Sequence, residues 1–270
     1  MGYIGYQMSL SRALVLLCLS VLPSFGATFG TVVAHAQPLA DLALDESRRR
    51  LYVVNTASNQ VEVYSTTTNP PRLTNTIKTD QTPLAVAISR DAQALYVACY
   101  AASSLYVIDL TSSTFASRSI TLPASPQGVA VGFNEKVFVS TIGTGTGQGV
   151  LLTYDPNTIA SQAVQTIVIT PAAPSPPSLP APNGVMALAS HGILKASRDG
   201  RTIAGVHDLA NNTRTVFVVD VNSATVLGSR NLGPITPVLA VSPDGVGPAH
   251  TDSGTRSSFQ FNCGPPNNDI

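Results

Sequence analysis

An all-β fold made of repeated four-stranded antiparallel units follows from three observations. Leu51-Tyr52-Val53 recurs as Leu95-Tyr96-Val97, 44 residues on, and as Val137-Phe138-Val139 after 42 more. Within each period, short β-branched and aromatic runs stand about 8–12 residues apart with turn residues between, as in an antiparallel meander. The composition agrees: Ser, Thr and Val dominate, and the only lysines are Lys78, Lys136 and Lys195, too few for surface helices. A fixed period in this range marks a repeat architecture, and four-stranded units of this length stack radially as the blades of a β-propeller. Each small sheet has two apolar faces and can bury them only against its neighbours.

The clearest unit spans 82–125. Its strands are Leu84–Ser89, Leu95–Cys99, Leu105–Leu110 and Ser117–Leu122, with a turn at Arg90–Asp91. The apolar runs Leu84–Ile88 and Leu95–Ala98 suit inner strands covered on both faces. The first unit, near 39–81, offers Leu39–Asp45, Leu51–Asn55, Val61–Tyr64 and Leu73–Ile77. There Val61 and Val63 alternate with Glu62 and Tyr64, a pattern consistent with a half-buried outer strand. The third unit, 126–183, runs through Gly128–Val131, Val137–Val139, Val150–Asp155 and Ala163–Ile169, and ends in a six-proline excursion over 171–183. Proline removes backbone donors and fixes φ, so this stretch reads as an extended surface spacer. The fourth unit, 184–235, supplies Gly192–Ser197, Ile203–Val206, Thr215–Asp220 and Thr225–Leu232. A partial unit, 236–245, opens with Thr236-Pro-Val-Leu-Ala-Val-Ser-Pro-Asp-Gly245. Residues 246–270 show no alternation and read as an irregular tail, so the array reads as truncated or frameshifted after Gly245.

The N-terminus carries Arg12, the apolar run Ala13–Leu22 and a small-residue region ending Ala34-His35-Ala36, the features of a secretory signal peptide over 1–36. Cleavage is expected after Ala36, with Ala27 the second choice; an uncleaved anchor is the alternative. The apolar run is too short to span a bilayer of about 30 Å. The protein is therefore expected outside the cytoplasm, in the periplasm, on the cell surface or secreted, with no membrane span after signal removal.

Hydrophobic residues make up 44% and charged residues 11%, which argues for a packed core over disorder. Formal net charge is zero, leaving no basic face to neutralise phosphates, so nucleic acid is not an expected partner. Of Cys18, Cys99 and Cys263, the first lies in the leader and the others are far apart, which indicates neither a disulfide framework nor a metal site.

Strand and turn motifs resemble a known repeat. Leu51-Tyr-Val-Val-Asn55, the Val-Ile-Asp ending at Asp109 and Ser242-Pro-Asp-Gly245 resemble the YVTN-type β-propeller repeat across 39–245. Cys99, Thr141 and His207 stand where that pattern has Asn, and Ser65 where Asp109 and Asp155 recur. The resemblance implies an exported or surface-bound propeller, usually seven-bladed.

Asp45, Asp91, Asp199-Gly200 and Asp244-Gly245 belong to hairpin turns, and Asp109, Asp155 and Asp220 sit at strand ends where a carboxylate caps backbone N–H groups. Gly143–Gly149 looks like a phosphate loop but precedes a strand, so it lacks a helix N-terminus and reads as a hairpin tip. His191, His207 and His250 have no partner histidine in the pattern, and His207-Asp208 is expected on a turn after a second strand. No catalytic or metal-binding residues and no cofactor are assigned. The expected function is a non-catalytic binding or interaction scaffold for an unknown protein, small-molecule or glycan ligand. The alternative, drawn from propellers similar to this repeat, is a lactonase-like or dehydrogenase-subunit-like enzyme or its remnant.

Overall fold

The structure is a computed structural model. It describes residues 33–141, 150–158, 164–168, 193–208, 214–231, 239–241 and 248–250. Four antiparallel sheets of four strands each follow one another along the chain, every one in simple sequential order. Blade 1 comprises β1 (Leu42–Asp45), β2 (Arg50–Asn55), β3 (Gln60–Ser65) and β4 (Arg72–Lys78). Blade 2 comprises β5 (Pro83–Ile88), β6 (Ala94–Cys99), β7 (Ser104–Asp109) and β8 (Ser117–Thr121). Blade 3 comprises β9 (Pro126–Val131), β10 (Val137–Thr141), β11 (Val150–Tyr154) and β12 (Val164–Val168). Blade 4 comprises β13 (Leu194–Ala196), β14 (Thr202–Asp208), β15 (Arg214–Asp220) and β16 (Thr225–Asn231).

The period-2 alternation of strand side chains divides each blade between two neighbours. On β6, Leu95, Val97 and Cys99 pack towards Tyr52, Val54 and Val61 of blade 1. Tyr96 and Ala98 of the same strand pack towards Val129, Val137 and Val139 of blade 3. Blade 3 in turn presents Ala130, Phe138 and Leu151 to Leu194, Ile203 and Phe217 of blade 4. First strands touch first strands from blade to blade, which places β1, β5, β9 and β13 innermost. The fourth strands β4 and β8 are mostly exposed and form the outer rim.

A second set of contacts ties the first-to-second-strand turns together. Arg48 Nη1 donates to the Ala92 carbonyl at 2.7 Å, and Glu135 accepts from the Arg90 and Asp91 N–H groups at 3.0 and 3.2 Å. The Phe133 N–H donates to the Gly200 carbonyl at 3.0 Å. Gly200 has φ +73°, and a Cβ there would lie 2.8 Å from Phe133 N, so both conformation and space demand glycine.

Three findings differ from the sequence expectations. The strand holding Val61–Tyr64, expected to be a half-buried outer one, is buried on both faces at its centre, Glu62 included, because a cluster of donors surrounds that carboxylate. His207 and Asp208 lie within β14, paired with Thr215 and Arg214, not on a turn after it. Within the expected irregular tail, β18 (Pro248–His250) pairs antiparallel with β17 (Leu239–Val241), a two-stranded sheet that packs beside β13 and β14. Backbone pairing needs no side-chain alternation, so three residues around a proline gave no pattern to read. The leader before residue 33, the proline excursion at 171–183 and residues 251–270 lie outside the described residues.

The packing predicts sharp local costs. Phe138→Ala, at a fully buried position between blades 3 and 4, should lower unfolding free energy by about 3–5 kcal/mol in urea denaturation. Gly200→Ala should cost about 1–3 kcal/mol through its left-handed φ, with further loss from the Phe133 contact.

Candidate functional site

The innermost strands decide what an axial ligand would meet. In blades 1 to 3 an alanine on the first strand faces an aromatic ring on the second: Ala43 opposite Tyr52, Ala87 opposite Tyr96, Ala130 opposite Phe138. Blade 4 exchanges the sizes, with Lys195 opposite Ala204. The Lys195 side chain is half exposed, and its Nζ lies 4.0 Å from Asp41 Oδ1 of blade 1. Asp41 is already held, Oδ1 accepting from the Leu42 N–H at 2.9 Å and Oδ2 from the Val86 N–H of blade 2 at 3.0 Å. The segment entering β1 and the inner strands β5 and β13 thus meet at one acid–base pair. At this distance and exposure the pair contributes no more than about 1 kcal/mol of stability, which makes it a polar feature of the axis rather than a clamp.

A second polar cluster sits on blade 1. The Glu62 carboxylate accepts from Asn55 Nδ2 (2.8 Å), Tyr64 Oη (2.7 Å), Gln60 Nε2 (3.3 Å) and His35 Nε2 (2.9 Å). Burial alone would raise the Glu62 carboxyl, but those hydrogen bonds outweigh it and hold the group below its ordinary value. Burial, then the same carboxylate, pushes Tyr64 up to about 12. His35 is raised, first by its bond to the Gln37 carbonyl and then, against some desolvation, by Glu62. His35 falls inside the expected leader, yet here it packs on the blade.

The turn aspartates behave as turn chemistry. Asp91 Oδ1 accepts from Ser89 Oγ at 2.6 Å and the Gln93 N–H at 2.9 Å; Asp199 Oδ1 accepts from Ser197 Oγ at 2.7 Å and the Arg201 N–H at 3.0 Å. In blade 1 the two residues trade places, Ser47 Oγ donating to Asp45 Oδ1 at 2.6 Å. Asp109, Asp155 and Asp220 each cap a backbone N–H two or three residues on, at 2.8, 2.9 and 2.7 Å. Ser65 does the same for Thr67 at 3.3 Å. Cys99 is a buried free thiol that burial pushes up to about 12, which leaves it unreactive at neutral pH. Among the described residues no group of three His, Cys, Asp or Glu side chains converges for a metal. Gly143–Gly149 (but for Val150 beyond it), His191, Asp244-Gly245, Cys18 and Cys263 lie outside the described residues, as do the side chains of His207 and His250.

Sequence reasoning missed Asp41, Lys195 and Glu62. Lys195 had a signal, since it breaks a column that is alanine in the three preceding blades. Glu62 had none, because an alternating Val-Glu-Val reads as a half-buried outer strand.

A family model described as Lactonase, 7-bladed beta-propeller, matches residues 29–132, which take in blades 1 and 2 and β9. Among solved structures the chain is similar to Kuenenia stuttgartiensis hydrazine synthase, with TM-score 0.61 and 18% identity over 84% of this chain and 59% of that one. It is similar to a putative 6-phosphogluconolactonase from Bacteroides uniformis, with TM-score 0.51 and 14% identity over 77% and 62% of the two chains. Virginiamycin B lyase from Staphylococcus aureus gives TM-score 0.53 and 10% identity over 85% and 71%. The fold is a β-propeller. Identities this low carry the architecture and not the activity. The chain spans 59% of the length of the hydrazine synthase chain. No curated protein sequence matches it.

The Glu62 cluster sets a pH dependence. The folded value lies below the ordinary 4.5, so its contribution is present above that value and drains away as pH falls through the folded value. Glu62→Gln should cost about 1–3 kcal/mol at neutral pH and flatten the loss of stability below pH 4.5, measured by urea midpoints across pH. His35 has the opposite sign: raised above 6.5, its contribution is present below that value and is lost as pH rises through the folded value.

Proposed function

We propose that the protein is an exported β-propeller that serves as a binding or interaction scaffold outside the cytoplasm. One observation carries the non-catalytic reading. The carboxylates at the turns and strand ends are spent on backbone N–H groups and neighbouring hydroxyls, and Asp41 itself accepts from two backbone N–H groups. A general base needs a carboxylate free to reach a substrate proton, and these are committed to the fold. The leader over 1–36 supports export. Packing of His35 against Glu62 favours processing after Ala27 over Ala36, because the earlier cut retains that contact.

A second reading, lactonase-like hydrolysis, is favoured by the family match over 29–132 and by the Asp41–Lys195 pair, where acid and base meet on the inner strands. Purified mature protein should turn over γ- and δ-lactones no faster than buffer, and Asp41→Asn and Lys195→Ala should change nothing. Lactone hydrolysis that drops about 10²-fold or more in either variant would replace the scaffold by the enzyme reading. Cell fractionation with N-terminal sequencing checks the compartment: a cytoplasmic protein with its leader intact would overturn the export reading.

A further inference from the structure

A cleft of about 340 Å³ opens between blades 1 and 2 on the side away from Asp41. It lies where the first-to-second-strand turn of blade 1 meets the third-to-fourth-strand turn of blade 2. That second turn, 110–116, is longer than its counterpart 221–224 in blade 4, and the extra length brings Phe115 over blade 1. The volume falls within the range of small-molecule sites, about 300–1,000 Å³.

Its charge is one-sided. Arg48 and Arg50 line it, and no carboxylate does. Arg48 is occupied, with Nη1 on Asp45 Oδ2 at 2.9 Å and on the Ala92 carbonyl at 2.7 Å. Arg50 is different: among the described residues it forms no ion pair. Its guanidinium carbon lies over the Phe115 ring, 5.7 Å from the centroid, a cation–π contact. A ring contact of this kind favours the cation without using its N–H donors, which can then pair with a carboxylate or phosphate. Phe115 is held for this by a left-handed backbone, φ 53°.

One further group fits the same demand. On the rim, the Asn75 Oδ1 is taken by the Thr76 N–H at 2.7 Å, which leaves the Nδ2 donors for a ligand.

We propose that this interblade cleft binds a small oxyanion, a carboxylate or a phosphate, with Arg50 as the anion-pairing residue and Asn75 as a rim donor. The proposal is independent of whether the axial pair catalyses anything.

The test is calorimetric titration of the full mature protein with D-galacturonate, inorganic phosphate and, as the neutral control, D-galactose. One or both anions should bind and galactose should not; which anion binds more tightly distinguishes a carboxylate from a phosphate ligand. Arg50→Gln should weaken binding about tenfold or more, as expected when a charge-assisted pair is lost. Asn75→Asp, at an exposed position where the bond to Thr76 N–H is retained, should weaken it by placing a like charge on the rim. Arg201→Gln, an exposed cation outside the cleft, should leave it unchanged. The proposal is overturned if neither anion binds, if galactose binds as well as the anions, or if binding survives both Arg50→Gln and Asn75→Asp.

Discussion

The structure depends on one constraint: a four-stranded sheet with apolar residues on both faces cannot stand in water alone. The period of two then acts as a sorting rule. Odd and even positions of the same strand belong to different interblade cores, as Leu95 and Val97 do against Tyr96 and Ala98. No blade owns a core of its own. In blade 2 the second and third strands are therefore mostly apolar and buried, and the outer fourth strand carries the polar residues. The blades at the ends of the array reveal the same rule by default. On blade 1, Leu42, Leu44 and Leu73 stand about half exposed on the face away from blade 2. On blade 4, Ala204, Val206, Val216 and Val218 form the far face, beside which the β17–β18 hairpin packs.

Burying sheet faces this way means that the turns must supply polar connections between blades, beside contacts such as Val86 N–H to Asp41 and Arg118 to Tyr154. The chain meets that need with short hydrogen bonds and left-handed residues. Arg49, Ala92, Glu135 and Gly200 all have positive φ at matching points of the first-to-second-strand turns. The serine–aspartate bond inside these turns survives even where the two residues exchange positions, as Asp45–Ser47 and Ser89–Asp91 do. What recurs is the hydrogen bond, and the residue order is free to change. That explains why turn motifs degenerate faster than strands in this chain while the fold persists.

These facts set what could be read in advance. Strands and their order were legible because alternation and period are properties of consecutive residues, and Leu51-Tyr-Val and Leu95-Tyr-Val announce themselves. The capping roles of Asp109, Asp155 and Asp220 were legible for the same reason, being local. What could not be read depends on contacts between blades or across strands. Glu62 is buried by donors on β2, β3 and the segment before β1, a convergence that no spacing encodes. Arg50 and Phe115 lie 65 residues apart and meet only because a turn of blade 2 overhangs blade 1. The pairing of β18 with β17 rests on backbone bonds that any sequence can make.

In a repeat protein the recurring residues serve the stack, so chemistry particular to this chain must come from positions that break their column. Three breaks stand out, and each is compensated. Lys195 replaces an alanine while Ala204 replaces the aromatic residue opposite, which keeps the local volume while delivering an ammonium to the axis. Glu62 occupies the register position that is Tyr106 in blade 2, and it is matched by four donors where Tyr106 needs only Ser117. Arg50 stands where Ala94 begins the second strand of blade 2, and its guanidinium is matched by the ring of Phe115. An uncompensated polar intrusion would cost stability with no return, and selection for the fold alone would remove it. Of the three, Glu62 has its hydrogen-bonding capacity met within the fold, which marks it as structural. Among the described residues Lys195 reaches one distant carboxylate, and Arg50 contacts an aromatic ring but no counter-charge. Those two, on β13 and at the start of β2, are where binding chemistry has room to act.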